Sequence, residues 1–121
     1  MGQIIADTNI FIYLLKNDLQ LGQLLDKKTI YISYIKELEL LSFPKISASE
    51  IVIIKQTINN CNIIHYSEEL KDDIILLRRK YNLTLPDAII VATSFAYFIP
   101  LITADKPFRR IKEIDSSIYA T

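Results

Sequence analysis

Acidic residues stand where apolar runs end, at Asp7 in IIADTNIFIYLL (residues 4 to 15), Glu37 and Glu39 in ISYIKELELL (32 to 41), Asp87 in LPDAIIVATS (85 to 94) and Asp105 in LITADKPF (101 to 108). Carboxylates gathered within a few Å repel one another and rise in pKa unless a cation sits among them. A hard divalent ion held by oxygen ligands, Mg2+ or Mn2+, is the natural counter-charge. Such an ion keeps bound water, lowers that water's pKa and stabilises charge on a phosphate. Thr8, Asn9 and Thr103 are neutral hydrogen-bonding neighbours suited to orienting a water or a carboxylate. If repulsion dominates the cluster, Asp7→Asn and Asp87→Asn are expected to leave the metal-free fold as stable as before, or more so.

Each acid also has a plainer reading. Asp7 suits an Asx-turn or a cap, Asp105 a turn before Lys106 and Pro107, Asp87 the positive N-terminus of a helix, and a Glu on a helix face is usually solvated. The case for a shared site rests on the elements that carry them. Residues 3–6 form a short apolar strand, after which Thr8 or Asn9 can cap a helix to Leu15, with a second short helix over 19–25. Residues 29–33 have strand composition and 34–41 helical spacing. Ser47 or Ser49 opens a helix to about Asn60, a strand follows at 62–66, and Ser67 begins an amphipathic helix to Tyr81 with Leu70, Ile74 and Leu77 on one face. Pro86 and Asp87 start a nearly apolar, centrally buried helix. A strand at 100–104, a short helix at 106–113 and an edge strand at 117–120 complete the chain.

Strands alternating with helices imply an α/β fold, with a central parallel sheet of four to five strands covered by helices on both faces. In such sheets functional groups collect beyond the carboxyl ends of the strands, and all the acids map to that end.

Composition limits the alternatives. The 121 residues are 50% hydrophobic, with 2 Gly and 4 Pro, and show no repeat or linker, so one domain over 1–121 is the economical reading. Two glycines cannot build a glycine-rich phosphate loop. The apolar runs are far short of the roughly 20 residues that span a bilayer, and no signal-like segment opens the chain, so no membrane association and a cytoplasmic location are expected. The single cysteine, Cys61, fits a reducing cytosol and a small buried role, and His65, the only histidine, fits a packed or partly exposed position. With 14 Lys+Arg against 14 Asp+Glu there is no global basic field, so any nucleic-acid contact must use local patches. Lys106, Arg109, Arg110 and Lys112 form one candidate patch and Arg78, Arg79 and Lys80 a second, the latter better suited to a solvated face.

With these motifs in view, the chain resembles the PIN-domain ribonucleases over nearly its whole length, and especially the small VapC-type toxins of bacterial and archaeal toxin–antitoxin pairs. LPDAIIVATS carries the most specific likeness. The resemblance implies that Asp7, Glu39, Asp87 and Asp105 form an acidic Mg2+ or Mn2+ site lined by Thr8 or Asn9 and Thr103. A serine six residues before the acid favours Glu39 over Glu37, and acids two apart on a helix cannot both point inward. The chain departs from the usual pattern at Lys36, where a small hydroxyl residue is common, a change that touches the local solvent network and not the acids. The resemblance further implies a metal-dependent endoribonuclease, a homodimer, and a small antitoxin partner whose C-terminal segment covers the active groove.

Two rivals stay in view. A two-component receiver domain shares the length and a Lys-Pro after the last strand, but it needs a phosphoaccepting Asp after the middle strand, where this chain has His65, Tyr66 and Ser67. A non-catalytic PIN-like scaffold that binds RNA or protein is the other.

Overall fold

A computed structural model describes residues 2–119. Five strands, β1 (Gln3–Ala6), β2 (Thr29–Ser33), β3 (Asn62–Ile64), β4 (Leu101–Thr103) and β5 (Ser116–Ile118), form one sheet in the order β3-β2-β1-β4-β5. Every pairing is parallel. The expected α/β sheet is therefore present with its full five strands. A receiver fold has the order 2-1-3-4-5; here β3 lies at the sheet edge, which sets that rival aside.

The alternation of side chains along a strand builds two cores from adjacent residues. Ile4, Ala6, Ile32 and Ile102 face α1 (Thr8–Leu15), α2 (Leu19–Leu25), α3 (Tyr34–Leu41) and α4 (Ala48–Asn59), meeting Ile10, Phe11, Leu21 and Leu40. Ile5 and Leu101 face the other way, onto Leu70, Ile74 and Leu77 near and on α5 (Lys71–Tyr81) and Ile90 and Val91 of α6 (Leu85–Tyr97). Chain direction supplies the reason for the two faces. From β1 the sheet grows outward through β2 to β3; α5 and α6 then carry the chain to β4 on the opposite side of β1.

Local chemistry sets most helix ends. Ser47 and Glu50 form a reciprocal capping box at α4. Thr84 caps α6, with Pro86 in its first turn. Asp72 and Asp73 open α5, and Arg78, Arg79 and Lys80 close it, matching the helix dipole.

Several sequence expectations shift. The cap of α1 is Asp7, not Thr8 or Asn9, because its own carboxylate accepts the Thr8 N–H. Ser67 caps a 3-10 turn at Glu68–Leu70, and α5 starts only afterwards. The strand expected at 62–66 ends at Ile64, and residues 106–113 contain only a 3-10 turn, Lys106–Arg110. The last strand begins one residue earlier than expected, and the Ala120 end of that expectation lies outside the described residues. The helix at 85–97 buries its middle, while Leu85, Phe95 and Tyr97 are exposed. Cys61 is half-buried, packs against the α1–α4 core, and has its thiol pushed up to about 11 by burial. Among the described residues no helix is long and apolar enough to cross a membrane.

Candidate active site

The strand order reverses between β1 and β4, the position where α/β sheets open a crevice beyond their carboxyl ends. Asp7 leaves β1 there, and Thr103 and Asp105 leave β4 beside it. Asp7 is only 2% exposed, so its two oxygens need partners. Oδ1 accepts the Thr8 N–H at 2.8 Å, and Oδ2 accepts the Thr103 hydroxyl at 2.8 Å. The Thr103 hydroxyl oxygen in turn accepts the Asp105 N–H at 3.1 Å. Asn9 Oδ1 accepts the Ala104 N–H at 3.1 Å, tying the first turn of α1 to the end of β4. Thr103 thus holds the Asp7 carboxylate and Asn9 ties α1 to β4, while Thr8 contributes its backbone N–H.

The cation among the acids is Lys36. Its Nζ lies 2.7 Å from Asp87 Oδ1, 3.3 Å from Asp7 Oδ1 and 3.4 Å from Glu39 Oε1. Strand β1, helix α3 and the first turn of α6 thereby meet at one ammonium. Lys36 and Glu39 are one helical turn apart and share a face; Lys36 and Leu40 are the buried residues of α3. Glu37 makes no ion pair among the described residues. Lys36 is 5% exposed, and burial alone would push its pKa down. The charge of Asp7, the hydrogen bond and charge of Asp87, and the charge of Glu39 outweigh burial and hold it well above the ordinary lysine value. A cationic group raised in the fold stabilises fully below its unfolded pKa, so the contribution is complete at neutral pH.

Asp105 is exposed and belongs to the same electrostatic cluster. Desolvation, then the charges of Asp7 and Asp87, push its carboxyl up, and Lys36 opposes them. Among the described residues no group of three or more His, Cys, Asp or Glu is arranged as a metal cage. The oxygen donors suit a hard cation in kind, but the point between Asp7, Glu39 and Asp87 is held by Lys36.

Beyond Glu39 an apolar cleft runs along Thr8, Ile12, Leu40 and Phe43 and continues to Leu15, Ile46 and Ile54. On the basic side, Lys106 and Arg109 are exposed. Arg110, expected with them as a phosphate contact, instead donates to the Tyr81 carbonyl and lies over the Tyr81 ring, 5.6 Å from its centroid. Its guanidinium is committed to the end of α5. Lys80 of the second basic patch pairs with Glu113 at 2.6 Å.

The PIN domain family model matches residues 4–114. The chain belongs to the PIN domain family. A chain of a toxin–antitoxin complex from Klebsiella pneumoniae is 31% identical, with TM-score 0.78 over 92% of this chain and 94% of that one. VapBC2 from Rickettsia felis, bound to a promoter DNA fragment, superposes with TM-score 0.86 at 21% identity, covering 98% and 99%. VapBC-1 from nontypeable Haemophilus influenzae gives 0.74 at 24% identity, covering 96% and 97%. A search of the curated proteins finds no match. The likeness to PIN domains is thus found by comparison as well as by motif, and nucleases of this domain class generally use a divalent metal ion.

Proposed function

We propose that this PIN domain is a Mg2+- or Mn2+-dependent endoribonuclease and the toxin of a type II toxin–antitoxin pair. The observation that carries the reading is the convergence of Asp7, Glu39 and Asp87, from three separate elements, at the switch point of a PIN sheet. Asp7, Glu39, Asp87 and Asp105 would hold the ion, which supplies a water of lowered pKa and charge for the phosphate. Asp7 is fixed for that task by the Thr8 N–H and the Thr103 hydroxyl. Thr103 also holds the Asp105 backbone, so both strand-end acids share one support. Lys106 and Arg109, exposed on the turn after Asp105, are placed to grip RNA phosphates.

An uninhibited ribonuclease would damage its host, and the surface beside the acids is suited to a restraining partner. The cleft that starts at Glu39 is mainly apolar, with Lys45 and Glu50 in the lining of its continuation. It suits an antitoxin segment with apolar side chains in the groove and an Arg or Lys at the acids. The toxin–antitoxin assemblies among the structural relatives support that reading, and a homodimer is proposed with it. The test is expression of the unmutated chain in a host without a partner gene. Growth arrest with newly cut RNA, relieved by co-expressing the neighbouring small gene, is the expected result; harmless expression with intact RNA would sink the assignment.

One observation favours a second reading. Lys36 occupies the centre of the acids, as in a scaffold whose charges are satisfied internally. A non-catalytic PIN domain that binds RNA or protein predicts no cleavage with any metal.

A further inference from the structure

We propose that Lys36 is the resident cation of the acid cluster, held by Asp7, Glu39 and Asp87, so that a divalent ion would bind these acids only by displacing it. The inference rests on the metal-site reading above and adds a competitor from within the chain.

The geometry is that of an occupied position. A lysine ammonium has three N–H donors and no acceptor, and three carboxylates surround Nζ at 2.7, 3.3 and 3.4 Å. Magnesium requires oxygens at about 2.0–2.1 Å. An ion drawing in these same oxygens would lie within a few Å of Nζ, a distance at which two cations repel. Lys36 is 5% exposed, so its charge is not screened by bulk solvent. The stem that carries it is flexible, with four methylenes, and the mouth of the cluster is open on the Glu39 side, where that side chain is 43% exposed. Displacement toward the mouth is therefore sterically available, at the cost of the ion pairs it breaks.

Two consequences separate this device from an ordinary acidic metal site. The metal-free chain needs no ion to relieve repulsion among Asp7, Glu39 and Asp87, because an internal cation already does so. The metal affinity of the unaltered chain is set low by competition, and replacing Lys36 by an uncharged residue raises it. Lys36 acts here as a positioning residue for the acids, not as a group that touches the reacting atoms.

The test is Mn2+ binding to the full chain by calorimetry, in the unaltered protein and in Lys36→Thr, with thermal unfolding of both in EDTA and across a Mn2+ titration. The expected result is Mn2+ affinity higher by about tenfold or more in Lys36→Thr, since one full repelling charge is removed. In EDTA the unaltered chain melts as it does without chelator, whereas Lys36→Thr melts lower and recovers with Mn2+. If Lys36→Thr is unfolded without metal, refolding on Mn2+ addition is the same result read through stability, and failure of Mn2+ to restore it overturns the proposal. Equal affinities in the two chains overturn the proposal and leave the metal site standing. No binding by either chain overturns both.

Discussion

The ammonium of Lys36 lies 2.7 Å from Oδ1 of Asp87, a residue 51 positions away in sequence, and this contact joins α3 to the first turn of α6. It reverses one expectation drawn from the acids alone. Neutralising an acid was expected to relieve repulsion; here it removes a partner from a buried cation.

Asp87→Asn is therefore predicted to lower the stability of the metal-free chain, by about 1–2 kcal/mol, since Asp7 and Glu39 still face Lys36. Asp7→Asn should cost more, about 2–3 kcal/mol. An amide at that position turns its NH2 either to the Thr8 N–H and Lys36, which only donate, or to the Thr103 hydroxyl, which must then give up its own donation. Urea denaturation in EDTA measures both, and a rise in stability for either variant would restore the repulsion picture.

Thr103 isolates the hydroxyl that links the strand-end acids. Thr103→Val keeps the shape of a fully buried side chain but leaves Asp7 Oδ2 and the Asp105 N–H without it. A loss of about 1–3 kcal/mol is expected, with Thr103→Ser close to the unaltered protein. Equal losses in the two variants would assign Thr103 to packing instead.

Glu39→Gln is expected to reduce RNA cleavage by at least about 100-fold, and Glu37→Gln by little. Glu39 shares the Lys36 face of α3, whereas two residues apart on a helix point to opposite sides. Rates on a fixed RNA at saturating Mn2+ decide the matter. The reverse ranking would place Glu37 at the site.

Much of this arrangement is legible in the sequence. Apolar runs bounded by cap residues predict β1, α1, α2, β2 and α3 closely, because Ser, Thr and Asp punctuate them. The alternation of strand and helix predicts a parallel sheet with Asp7 and Asp105 at the carboxyl ends of its strands; the strand order that sets those strands side by side is not legible in it. Lys36 was legible only as a departure from pattern. Its signal was a lysine four residues before Leu40, on the stripe that α3 buries, with Glu39 one turn on. Arg110 gave no such signal, because its partner is a backbone carbonyl at the end of a helix 29 residues earlier.

The same region supplies a test of pH dependence. Lys80 at 2.6 Å, then the Tyr81 hydroxyl, hold the Glu113 carboxyl below its usual range. A carboxyl lowered in the fold stabilises above its unfolded pKa, about 4.3, and the contribution is lost as pH falls through the folded value. Glu113→Gln should thus cost roughly 1 kcal/mol at pH 7, the contacts being largely at the surface, with the gap closing in acid. A gap independent of pH would mean that shape, not charge, links these residues.

Lys106→Ala and Arg109→Ala should each weaken RNA binding and lower the salt slope by about 0.7, as expected for one lost phosphate contact to a single strand. Arg110→Ala should instead lower stability through its contact with Tyr81. Binding across a salt series, beside denaturation curves, separates the two roles.

On the proposed function, the acids gathered around Lys36 cut RNA with a divalent ion. The most direct measurement is sequencing of RNA 5′ ends after incubating total RNA with the purified chain in Mn2+ or Mg2+, with EDTA and with Asp87→Asn as the contrasts. A discrete set of new ends is expected for the unaltered chain with metal, and none in EDTA or with Asp87→Asn. New ends that persist equally in EDTA or with Asp87→Asn, or no new ends under any condition, would contradict it.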